Sequence, residues 1–581
     1  MINSELARAF DRIADLLDLD GADGFRVNTY RRAARTIRSC TEDIAVIAAE
    51  NRLTDLAGIG KSTAQKILQF LSTSHIDILD ELDAKFPPGL CDLMGVPGMG
   101  PKKVALIHST LGVKDVDDLK RVIESGELEK VPGMGAATVK KIAEGIKFRE
   151  SFGERTPLGI ALPVAEGFAE KVRALPGVIR AEIAGSLRRG AETIGDIDIV
   201  CSAALGQPVI DAFTKFHGVK KVLASGSTKA SVVAKLESGR ELQIDLRVVE
   251  GDAFGAAMQY FTGSKEHNVR LRERAIGKKW SLNEYGLWDG EKRIAGTEET
   301  HIYEKLGLPF IPPEIREDQG EFNLKSTPSL VSLTDIRGDL HLHTKASDGK
   351  YTIEEMAMAA RALGYEYIAV CDHSKSSTIA NGLTVERMHD HISAIRNADK
   401  QVEGIRILVG CECDILPDGS MDYPDEVLAE CDWVVASIHS GITRSTKGLS
   451  PTERTLAAIE NRWVSAIGHP TGRLIQKRAA MELDMNAVVL AAARTGTFLE
   501  INANWRRLDL KDHHARQALA AGVTLVINTD AHHVSEYEQM RYGIVTARRA
   551  GATTDQVLNC LPLGDLRERT ARKRGVLKSK T

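Results

Sequence analysis

The chain has 581 residues, enough for about three to five domains that each bury a core of their own. Hydrophobic residues make up 43% and charged residues 27%, which is the composition of an ordinary globular protein. The formal net charge of −4 constrains little, because a mildly acidic total is compatible with a basic cleft.

Compartment and membrane association follow from simpler patterns. No apolar run reaches membrane-spanning length, and the start MINSELARAFDRIADLL reads as an amphipathic helix with acids in it rather than as a signal peptide. The eight cysteines are scattered singly apart from Cys411 and Cys413, which we interpret as buried packing beside Glu412 and not as a disulfide. These features predict a protein of the reducing cytoplasm.

Three segments in the first 150 residues repeat a G-x-G hairpin followed by a helix start and one or two lysines. They are LAGIGKSTAQKI (56–67), LMGVPGMGPKKVALI (93–107) and VPGMGAATVKKI (131–142). Glycine allows positive φ and leaves backbone N–H groups uncovered, so that a hairpin beside a helix N-terminus can seat an anion. One G-x-G would be a plain turn, but three in an all-helical region resemble helix-hairpin-helix motifs, which grip DNA phosphates without reading sequence.

The DNA-binding positions that this resemblance implies are mostly glycines. They are Gly58, Gly60, Gly98, Gly100, Lys102, Gly133 and Gly135. Lys103, Lys140 and Lys141 add positive charge beside them.

The segment FRVNTYRRAARTIRS (25–39) crowds five arginines and Tyr30 onto one short helix. By itself it would be a solvated basic face, but beside a helix-hairpin-helix motif we interpret it as a phosphate-binding patch. The region resembles the small lyase domain of family X DNA polymerases. The resemblance implies that Lys66 is the Schiff-base amine that attacks a sugar aldehyde. The alternative is that Lys66 lies on a plain helix surface.

The strongest signal in the middle of the chain is AGSLRRGAETIGDIDIV (184–200). Asp196 and Asp198 are two apart in a strand-like run, so both carboxylates project from one face. Asp245 in the alternating run ELQIDLRVV supplies a third acid, and three carboxylates on adjacent strands repel unless cations lie between them. The pattern predicts a nucleotidyltransferase site with two Mg²⁺ ions. Gly185 and Ser186 predict a phosphate-binding turn, with Arg189 as its charge clamp.

The run YFTGSKEHNVRLRERA, which begins at residue 260, resembles the segment of family X polymerases that binds the nascent base pair. The resemblance implies that Tyr260 and Phe261 lie against the incoming sugar and that Gly263 permits the close turn. It also implies that Asn268 reaches the minor-groove edge of the incoming base and that Arg272 reaches the template strand. The alternative for the aromatic pair is core packing.

Between residues 339 and 532 the chain places metal-binding side chains in groups that follow strand-like runs. The groups are DLHLH (339–343), Asp348, Asp372 with His373, Glu412, His439, His469 and DAH (530–532). A lone histidine in a strand is usually a core residue, but here the event recurs at about six strand ends. The C-terminal ends of the strands of a β/α barrel meet at one mouth, so the sequence predicts a multinuclear site for zinc or manganese.

The ordered motifs HLHT-x-x-S-D-G, CDHS, GCE, SIHS, GHP and NTDAH resemble those of the PHP (polymerase and histidinol phosphatase) domain. The resemblance implies a distorted (β/α)7 barrel with three metal ions. It implies one ion held by His341, His343, Glu412 and Asp530, a second by Asp348, His373 and His532, and a third by His439 and His469 with Glu412 bridging. Such ions, about 4 Å apart, hydrolyse phosphodiesters or phosphomonoesters, and the domain alone leaves that choice open.

Over nearly its whole length the chain thus resembles a bacterial family X DNA polymerase with a C-terminal PHP domain. The implied fold is multidomain, with a helical helix-hairpin-helix N-terminal region, an α+β nucleotidyltransferase palm and a distorted barrel. The predicted parts are a lyase-like helical domain at 1–80, a helix-hairpin-helix domain at 81–152, a palm at 153–250, a nascent-base-pair domain at 251–317, a linker at 318–333, the PHP domain at 334–572 and a basic tail at 573–581.

The resemblance implies a polymerase that fills short gaps in base excision repair, with a metal-dependent 3′–5′ exonuclease and an abasic-site endonuclease in the barrel. The expected cofactors are Mg²⁺ or Mn²⁺ in the palm and three Zn²⁺ or Mn²⁺ ions in the barrel. The expected partners are gapped or primed double-stranded DNA and dNTPs, with a monomer acting in the cytoplasm at the nucleoid.

Two rival functions stay open. In one, the chain is a DNA-binding scaffold with a vestigial polymerase, which the complete set Asp196, Asp198 and Asp245 disfavours. In the other, the barrel is a phosphomonoesterase for small molecules, which its fusion to a DNA-gripping module disfavours.

Overall fold

The computed structural model describes residues 2–40, 43–56, 58–87, 89–94, 96, 99–136, 138–140, 142–143, 146, 155–236, 241–440 and 448–575. The chain forms two compact units, residues 1–154 and 155–581. Gly98 and Lys141, which carry part of the sequence prediction, lie outside the described residues. Within this coverage, none of the helices has both the length and the apolar character needed to cross a bilayer.

The N-terminal unit is helical, as predicted. Its helices are α1 (Ile2–Leu19), α2 (Gly24–Ser39), α3 (Ile44–Ala49), α4 (Lys61–Thr73), α5 (Asp77–Lys85), α6 (Leu90–Leu93), α7 (Pro101–Leu111) and α8 (Val116–Glu124), with 3-10 turns at Leu53–Asp55 and Leu128–Lys130. Helix α1 buries Leu6, Phe10 and Ile13 on one face, at the spacing of an amphipathic helix. Asp23 starts α2 by accepting hydrogen bonds from the N–H groups of Phe25 and Arg26.

The second unit begins with a palm built on a five-stranded mixed sheet. Its elements are β1 (Thr156–Pro157), α9 (Leu158–Arg173), β2 (Val178–Ile183), α10 (Gly185–Arg188), β3 (Thr193–Ile194), β4 (Asp196–Ala203), α11 (Gly206–Phe213), β5 (Val219–Ser225), β6 (Lys229–Lys235) and β7 (Glu241–Val249). The sheet order is β2-β4-β7-β6-β5, in which only β4 and β7 are parallel. This parallel central pair places the predicted acids side by side.

A small α+β lobe follows the palm. It consists of a 3-10 turn (Gly251–Ala253), α12 (Phe254–Thr262), α13 (Lys265–Gly277), a hairpin sheet of β8 (Ser281–Asn283), β9 (Gly286–Asp289) and β10 (Lys292–Ala295), and α14 (Glu299–Lys305). The lobe is fixed to the palm by Glu299, whose carboxylate accepts hydrogen bonds from Arg188 and the fully buried Arg316. Burial opposes ionisation, but these guanidinium groups lower the pKa of Glu299 to about 2.

The stretch 318–333, predicted as a polar linker, is ordered and packed. Glu321 is buried, and its carboxylate lies 2.9 Å from Nδ1 of His267. Val331 is fully buried, and its N–H donates to the carbonyl oxygen of Ala552. The sequence signal was weak because the segment contributes isolated buried groups and the short 3-10 turn Glu321–Asn323 rather than a periodic element. Two further 3-10 turns, Pro313–Ile315 and Leu333–Asp335, flank it.

The rest of the chain is the predicted seven-stranded barrel. Its strands are β11 (Gly338–Leu342), β12 (Tyr367–Val370), β13 (Arg406–Asp414), β14 (Trp433–Ser437), β15 (Ala466–Ile467), β16 (Phe498–Asn502) and β17 (Leu525–Asn528). They are parallel and adjacent in chain order, and a parallel bridge between Leu342 and Ala531 joins the two ends of the sheet. Cys411 and Cys413 are buried and unbridged, as predicted.

Helices and 3-10 turns surround the barrel strands. The helices are α15 (Ile353–Ala362), α16 (Val385–Gln401), α17 (Asp425–Glu430), α18 (Pro451–Glu460), α19 (Met485–Thr495), α20 (Asp512–Ala520), α21 (Met540–Ala550) and α22 (Leu563–Lys573). The 3-10 turns are Thr378–Ala380, Val534–Gln539, Thr554–Gln556 and Leu558–Cys560. Strands followed by helices put all strand ends of one sense at one mouth.

The start of the predicted basic tail is packed against the barrel, which corrects the boundary at 573. The Lys573 ammonium donates to the carbonyl oxygens of Ile459 and Asn461, and burial lowers its pKa to about 7. Arg574 donates to the carbonyl oxygen of Cys431. Positively charged side chains that satisfy exposed carbonyls are hard to distinguish from a free tail in sequence alone.

Palm and barrel share an apolar boundary. Leu508 and Tyr542 of the barrel are buried within the hydrophobic cluster of the palm. Trp505 lies against Gly159, where a Cβ atom would come within 2.3 Å of the indole Cγ. The barrel is therefore packed directly on the polymerase-like part of this unit.

Two candidate metal centres and a candidate DNA-binding surface

The palm acids converge because β4 and β7 are paired in parallel. Asp198 is opposite Asp245 in the strand register, and Asp196 is opposite Gln243. Since side chains two residues apart in a strand share a face, all three carboxylates project from the same side of the sheet. Asp198 and Asp245 are half-buried, whereas Asp196 is exposed.

Mutual repulsion defines the electrostatics of this site. Burial, followed by the charges of Asp196 and Asp245, raises the pKa of Asp198 to about 7. Although Asp196 as a whole residue is exposed, partial desolvation of its carboxyl group and then the charge of Asp245 also raise its pKa. Asp245 accepts a 2.7 Å hydrogen bond from Gln243 and lies 3.3 Å from the Lys229 ammonium. The positive side chains nearby, Lys229 among them, leave the pKa of Asp198 raised and so balance the three carboxylates only in part, which fits a site for divalent cations.

The turn after β2 lies directly over these acids. Gly185 has φ +65°, and a Cβ atom there would come within 2.2 Å of Oδ2 of Asp198. Only glycine fits this position. Because glycine has no side chain, the backbone of Gly185 and the half-buried Ser186 lie close to the Asp198 carboxylate. Arg189 follows the same turn, and its guanidinium donates to the carbonyl oxygen of Thr262 and to Glu317.

The predicted nucleotide-binding residues of the next lobe also lie together. Nδ2 of Asn268 donates a 2.7 Å hydrogen bond to the carbonyl oxygen of Tyr260, and the Tyr260 and Phe261 rings pack edge to face. Gly263 ends α12 with φ +66°. Arg272 is exposed, and its Nε donates to the carbonyl oxygen of Asn268. The two aromatic rings are only partly buried, and Phe261 also packs against the hydrophobic cluster that contains Ala184 and Val200.

In the barrel, the predicted ligands are brought to one mouth by six of the seven strands. His341 and Glu412 lie within the last residues of β11 and β13, and the others lie on the loops that follow these strands and β12, β14, β15 and β17. The loop residues are His343, Asp348, His373, His439, His469, Asp530 and His532. The fold thus brings together side chains that are far apart in the sequence.

Glu412 is at the centre of this arrangement and is buried. Its Oε1 lies 2.9 Å from Nε2 of His469 and 3.3 Å from Nε2 of His439. Its Oε2 lies 3.0 Å from Nδ1 of His373 and 3.4 Å from Nε2 of His341. The two oxygens therefore face two different groups of imidazoles, which is the geometry of a bridging carboxylate.

The donor atoms fit metal ions better than they fit one another. Among the described residues, Nε2 of His341, Nδ1 of His343 and Oε2 of Glu412 are buried without a hydrogen-bond partner. Burial, and then the nearby His532 and His373, lower the pKa of His343 to about 4. At four of the other histidines the carboxylates of the cluster outweigh burial and raise the pKa, to about 10 for His439, and a bound cation would displace those protons. Neutral imidazoles and carboxylates in a buried cluster are the ligands of zinc and manganese sites.

Among the described residues, ligand atoms that lie within 4.8 Å of one another form three groups. These groups differ from the implied ligand sets in four memberships: His343 joins the second set, His373 joins the third, Glu412 is missing from the first and His469 is missing from the third. The groups are His343, Asp348, His373 and His532; His341, His343 and Asp530; and His373, Glu412 and His439. His343 thus faces two groups, because its Nε2 lies 3.0 Å from Asp530 while its Nδ1 faces Asp348. His469 approaches the third group through Glu412.

Three buried carboxylates outside the implied ligand sets support the site, and two of them, Glu500 and Asp414, carried no sequence prediction. Glu500, on β16, lies 2.8 Å from Nδ1 of His341 and so turns Nε2 of that ring towards the centre. Asp414 accepts from Nδ1 of His439. Asp372 accepts from Ser347 and Thr344 beside the ligand loops. The available signal was a lone acid at the end of an apolar strand, as in FLEIN (498–502).

The N-terminal unit carries the predicted DNA-binding glycines at helix starts. Gly60 and Gly100 precede α4 and α7, and a Cβ atom at either would meet nothing within 4 Å. Gly58 and Gly133 have φ +85° and +81°, values that favour glycine. Gly135 and Lys102 are exposed. These exposed helix starts offer backbone N–H groups to an anion.

Lys66 lines a surface cavity of about 660 Å³ together with Arg26, Tyr30 and Ser62. Its ammonium donates a 3.0 Å hydrogen bond to Oγ of Ser62 and lies 5.9 Å from the centre of the Tyr30 ring. The lysine therefore lies in a concave setting beside an aromatic ring and a second basic side chain, and Asp77 and Glu81 line the same cavity.

Family models match four parts of the chain. Residues 1–76 match a helix-hairpin-helix domain, and residues 92–147 match a SAM-like helix-hairpin-helix tandem. Residues 257–317 match the DNA polymerase beta thumb, and residues 339–504 match the PHP domain.

Curated relatives match either the whole chain or the barrel. The DNA polymerase/3′-5′ exonuclease PolX of Bacillus subtilis (strain 168) is 37% identical over 569 residues, which cover 97% of this chain and 99% of that protein. A probable phosphatase of Acetivibrio thermocellus is 33% identical over 202 residues, 33% of this chain and 78% of the phosphatase. A probable phosphatase of Thermoanaerobacter sp. (strain X514) is 29% identical over 236 residues, 38% of this chain and 89% of the phosphatase.

Proposed function

The chain belongs to the bacterial family X DNA polymerases that carry a C-terminal PHP domain, and on this premise we propose that it both extends and shortens DNA 3′ ends. Extension takes place at the palm carboxylates, and 3′–5′ removal of nucleotides takes place at the barrel mouth. The observation that carries the proposal is the presence, within one compact unit, of a barrel cluster of imidazoles and carboxylates and of three palm carboxylates on the paired strands β4 and β7. The name of the Bacillus subtilis relative, aligned over 97% of this chain, supports both activities.

In the palm, Asp196, Asp198 and Asp245 would hold Mg²⁺ or Mn²⁺. The ions would neutralise the triphosphate and favour ionisation of the primer 3′-hydroxyl. The raised pKa of Asp198 supports this role, because the carboxylates lack enough positive protein groups around them.

Protein groups around these acids would orient the nucleotide. The backbone of Gly185, the hydroxyl of Ser186 and Nη2 of Arg189 would bind phosphate oxygens. Tyr260 and Phe261 would pack on the sugar, which excludes a 2′-hydroxyl. Asn268 supports this by hydrogen bonding to the carbonyl oxygen of Tyr260. From there Asn268 would reach the base edge and Arg272 the template.

In the barrel, nine side chains would hold three Zn²⁺ or Mn²⁺ ions. They are His341, His343, Asp348, His373, Glu412, His439, His469, Asp530 and His532. The ions would supply a nucleophilic water and charge stabilisation for phosphodiester hydrolysis. The unpartnered buried atoms of His341, His343 and Glu412 support this assignment. Glu500 and Asp414 would fix the ring orientations of His341 and His439.

We assign the DNA substrate to short gaps of the kind that arise in base excision repair. The helix-hairpin-helix regions would bind backbone phosphates, and the cavity around Lys66 and Arg26 would accept the 5′-phosphate end of the gap. Lys66 there would attack the sugar aldehyde of a 5′-deoxyribose phosphate, and the barrel would also cut at abasic sites. A DNA substrate places these reactions in the cytoplasm at the nucleoid, and the monomeric state stays a prediction.

A second candidate function has one observation in its favour. The barrel alone is similar to two probable phosphatases, which makes hydrolysis of small phosphomonoesters its rival activity. The ligand set does not distinguish the two, because the same ions serve both reactions. The direct attachment of the barrel to the palm through Trp505 and Tyr542 favours a DNA substrate.

One assay tests the proposal and its rival. A 5′-labelled primer on a gapped duplex should lengthen with dNTPs and Mg²⁺ or Mn²⁺, and should shorten from its 3′ end without dNTPs. Gaps with and without a 5′-phosphate separate the repair assignment from general extension, because the phosphate should increase extension of the gap. A protein that hydrolyses p-nitrophenyl phosphate but leaves the primer unchanged would support the phosphomonoesterase and contradict the proposal.

A borohydride trapping assay tests the lyase assignment. The unsubstituted protein should form a covalent adduct with a 5′-deoxyribose phosphate end, and Lys66→Ala should not. The matched control is Lys61→Ala, because Lys61 is exposed on the first turn of the same helix. Equal adduct formation by the Lys66 variant would contradict the assignment.

A further inference from the structure

The candidate clamp residue Arg189 is held from two sides. Its Nε donates a 3.1 Å hydrogen bond to Oε1 of Glu317, and its Nη1 donates a 2.6 Å hydrogen bond to the carbonyl oxygen of Thr262. Within the described part of the chain, Nη2 of Arg189 has no hydrogen-bond partner. The guanidinium is thus anchored, and one of its donors is left for a phosphate.

The same carboxylate is also bound by the barrel. Nη1 of Arg549, near the end of α21, donates a 2.9 Å hydrogen bond to Oε1 of Glu317 and a 2.7 Å hydrogen bond to the carbonyl oxygen of Arg189. Nε of Arg549 donates to Asp512 at 2.8 Å. A single carboxylate oxygen therefore accepts from two guanidinium groups, one of the palm and one of the barrel.

These three charged side chains are largely shielded from water. The side chains of Arg189, Glu317 and Arg549 are only 15%, 19% and 14% exposed. Charges that are this shielded from water interact more strongly than surface pairs and are less screened by salt. The approach is also close at the backbone, since a Cβ atom at Gly190 would come within 2.0 Å of Cγ1 of Val545 on α21.

We infer that Arg549 of the barrel is a positioning residue for nucleotide binding at the palm. Glu317 anchors the Arg189 guanidinium through Nε, but its negative charge also competes with the triphosphate for the positive charge of Arg189. Arg549 weakens that competition because it neutralises part of the Glu317 charge. The inference rests on the proposed function, in which Arg189 contacts the triphosphate. It gives the barrel a role in polymerisation that is separate from its own metal centre.

The test is the Arg549→Gln variant, with Arg548→Gln as its matched control. Arg548 is the neighbouring residue on α21. Its Nε also donates a 2.7 Å hydrogen bond to a residue outside the barrel, at Oε1 of Glu314, but it contacts none of the proposed nucleotide ligands. Steady-state primer extension gives kcat and the KM for dNTP, and the 3′–5′ exonuclease rate reports the state of the barrel.

We expect R549Q to raise the KM for dNTP about tenfold with less than about a threefold change in kcat, as for loss of one partner of a shielded charge network. The exonuclease rate should stay unchanged, and R548Q should alter the KM less than about twofold. Adding Glu317→Gln to R549Q should return the KM to within about threefold of the original, because the competing carboxylate is gone. A purely structural role for Arg549 would not give this rescue.

Two results would overturn the inference: a KM for R549Q no higher than that for R548Q, or no rescue by Glu317→Gln. If R549Q does not fold, the Glu317→Gln single variant decides, because the KM should stay or fall with it and a rise would refute the competition. Glu314→Gln is the control for that comparison. Absence of any extension by the unsubstituted protein would refute the polymerase assignment itself, which keeps the two failures distinct.

Discussion

The palm and barrel centres both bring charged side chains together, but they differ in the type of ligand and in how far the ligands are buried. The palm places three carboxylates on two paired strands and leaves them partly open to solvent. Burial and then the repulsion from Asp196 and Asp245 raise the pKa of Asp198 to about 7. The barrel collects imidazoles and carboxylates from six strands and buries Glu412 and His341 among them.

The difference concerns how firmly each centre would hold its ions. Oxygen-only, half-open sites suit Mg²⁺, which dehydrates reluctantly and arrives with the nucleotide. Buried nitrogen and oxygen ligands with oriented rings suit resident Zn²⁺ or Mn²⁺. We therefore expect the palm to exchange its metal at each turnover and the barrel to keep its ions.

The largest expected effect that separates the two regions comes from Gly185→Ala. The added Cβ would come within 2.2 Å of Oδ2 of Asp198, and φ +65° is unfavourable for alanine. Primer extension should fall at least about a hundredfold, because misplacement by an ångström at a reacting centre is that costly. The exonuclease rate should not change.

Gly167→Ala is the control for this substitution, since a Cβ atom at that helical position meets nothing within 4 Å. It should leave both activities unchanged. Full extension activity in Gly185→Ala would show that the turn does not define the palm centre.

The second effect probes the barrel alone. Glu500→Gln removes the carboxylate that holds Nδ1 of His341, which should lower metal affinity and exonuclease activity about 10- to 100-fold. Metal content after gel filtration, measured by mass spectrometry, should fall below that of the unsubstituted protein, while primer extension stays intact. Glu460→Gln, at an exposed pair with Arg494, should change neither. Unchanged metal content in Glu500→Gln would contradict the assigned role of that carboxylate.

The sequence predicts a site best where the residues of the site lie close together in the chain. Asp196 and Asp198 share a strand, so alternation predicts a common face before any fold is known. For His341 and His532, convergence was predicted from metal-binding groups that recur at strand ends and from the geometry of a β/α barrel, and the resemblance supplied the number of strands and the ligand sets. Glu500 and Asp414 were not predicted, because a carboxylate that supports a metal ligand has no characteristic spacing in the sequence. The junction of Arg189, Glu317 and Arg549 was inaccessible for the same reason, since its partners come from separate domains.

A third, smaller effect is pH dependence of the palm. The folded pKa of Asp198 is raised to about 7, so its ionised fraction falls about tenfold from pH 8 to pH 6. A carboxylate must be ionised to bind a metal, so the Mg²⁺ concentration at half-maximal extension should rise about tenfold over that range. Saturating Mg²⁺ should restore much of the rate at pH 6. An unchanged Mg²⁺ midpoint would contradict the assignment of Asp198 as a ligand.

The smallest effect concerns how the two regions are joined. Arg541 and Glu166 form a pair across the boundary, but their side chains are 36% and 46% exposed. Arg541→Gln should lower the free energy of unfolding by less than about 0.5 kcal/mol, because exposed pairs contribute little. Urea titration of Arg541→Gln checks this value. A loss well above it would show that surface charge, rather than the packing around Trp505 and Tyr542, holds barrel and palm together.

The most direct test of two independent centres is a crossed comparison of Asp198→Ala and His341→Ala on one 5′-labelled primer in a gapped duplex. Asp198→Ala should lose extension with dNTPs and still shorten the primer without them, and His341→Ala should do the reverse. Loss of both activities in either folded variant, or extension that survives Asp198→Ala, would contradict the account.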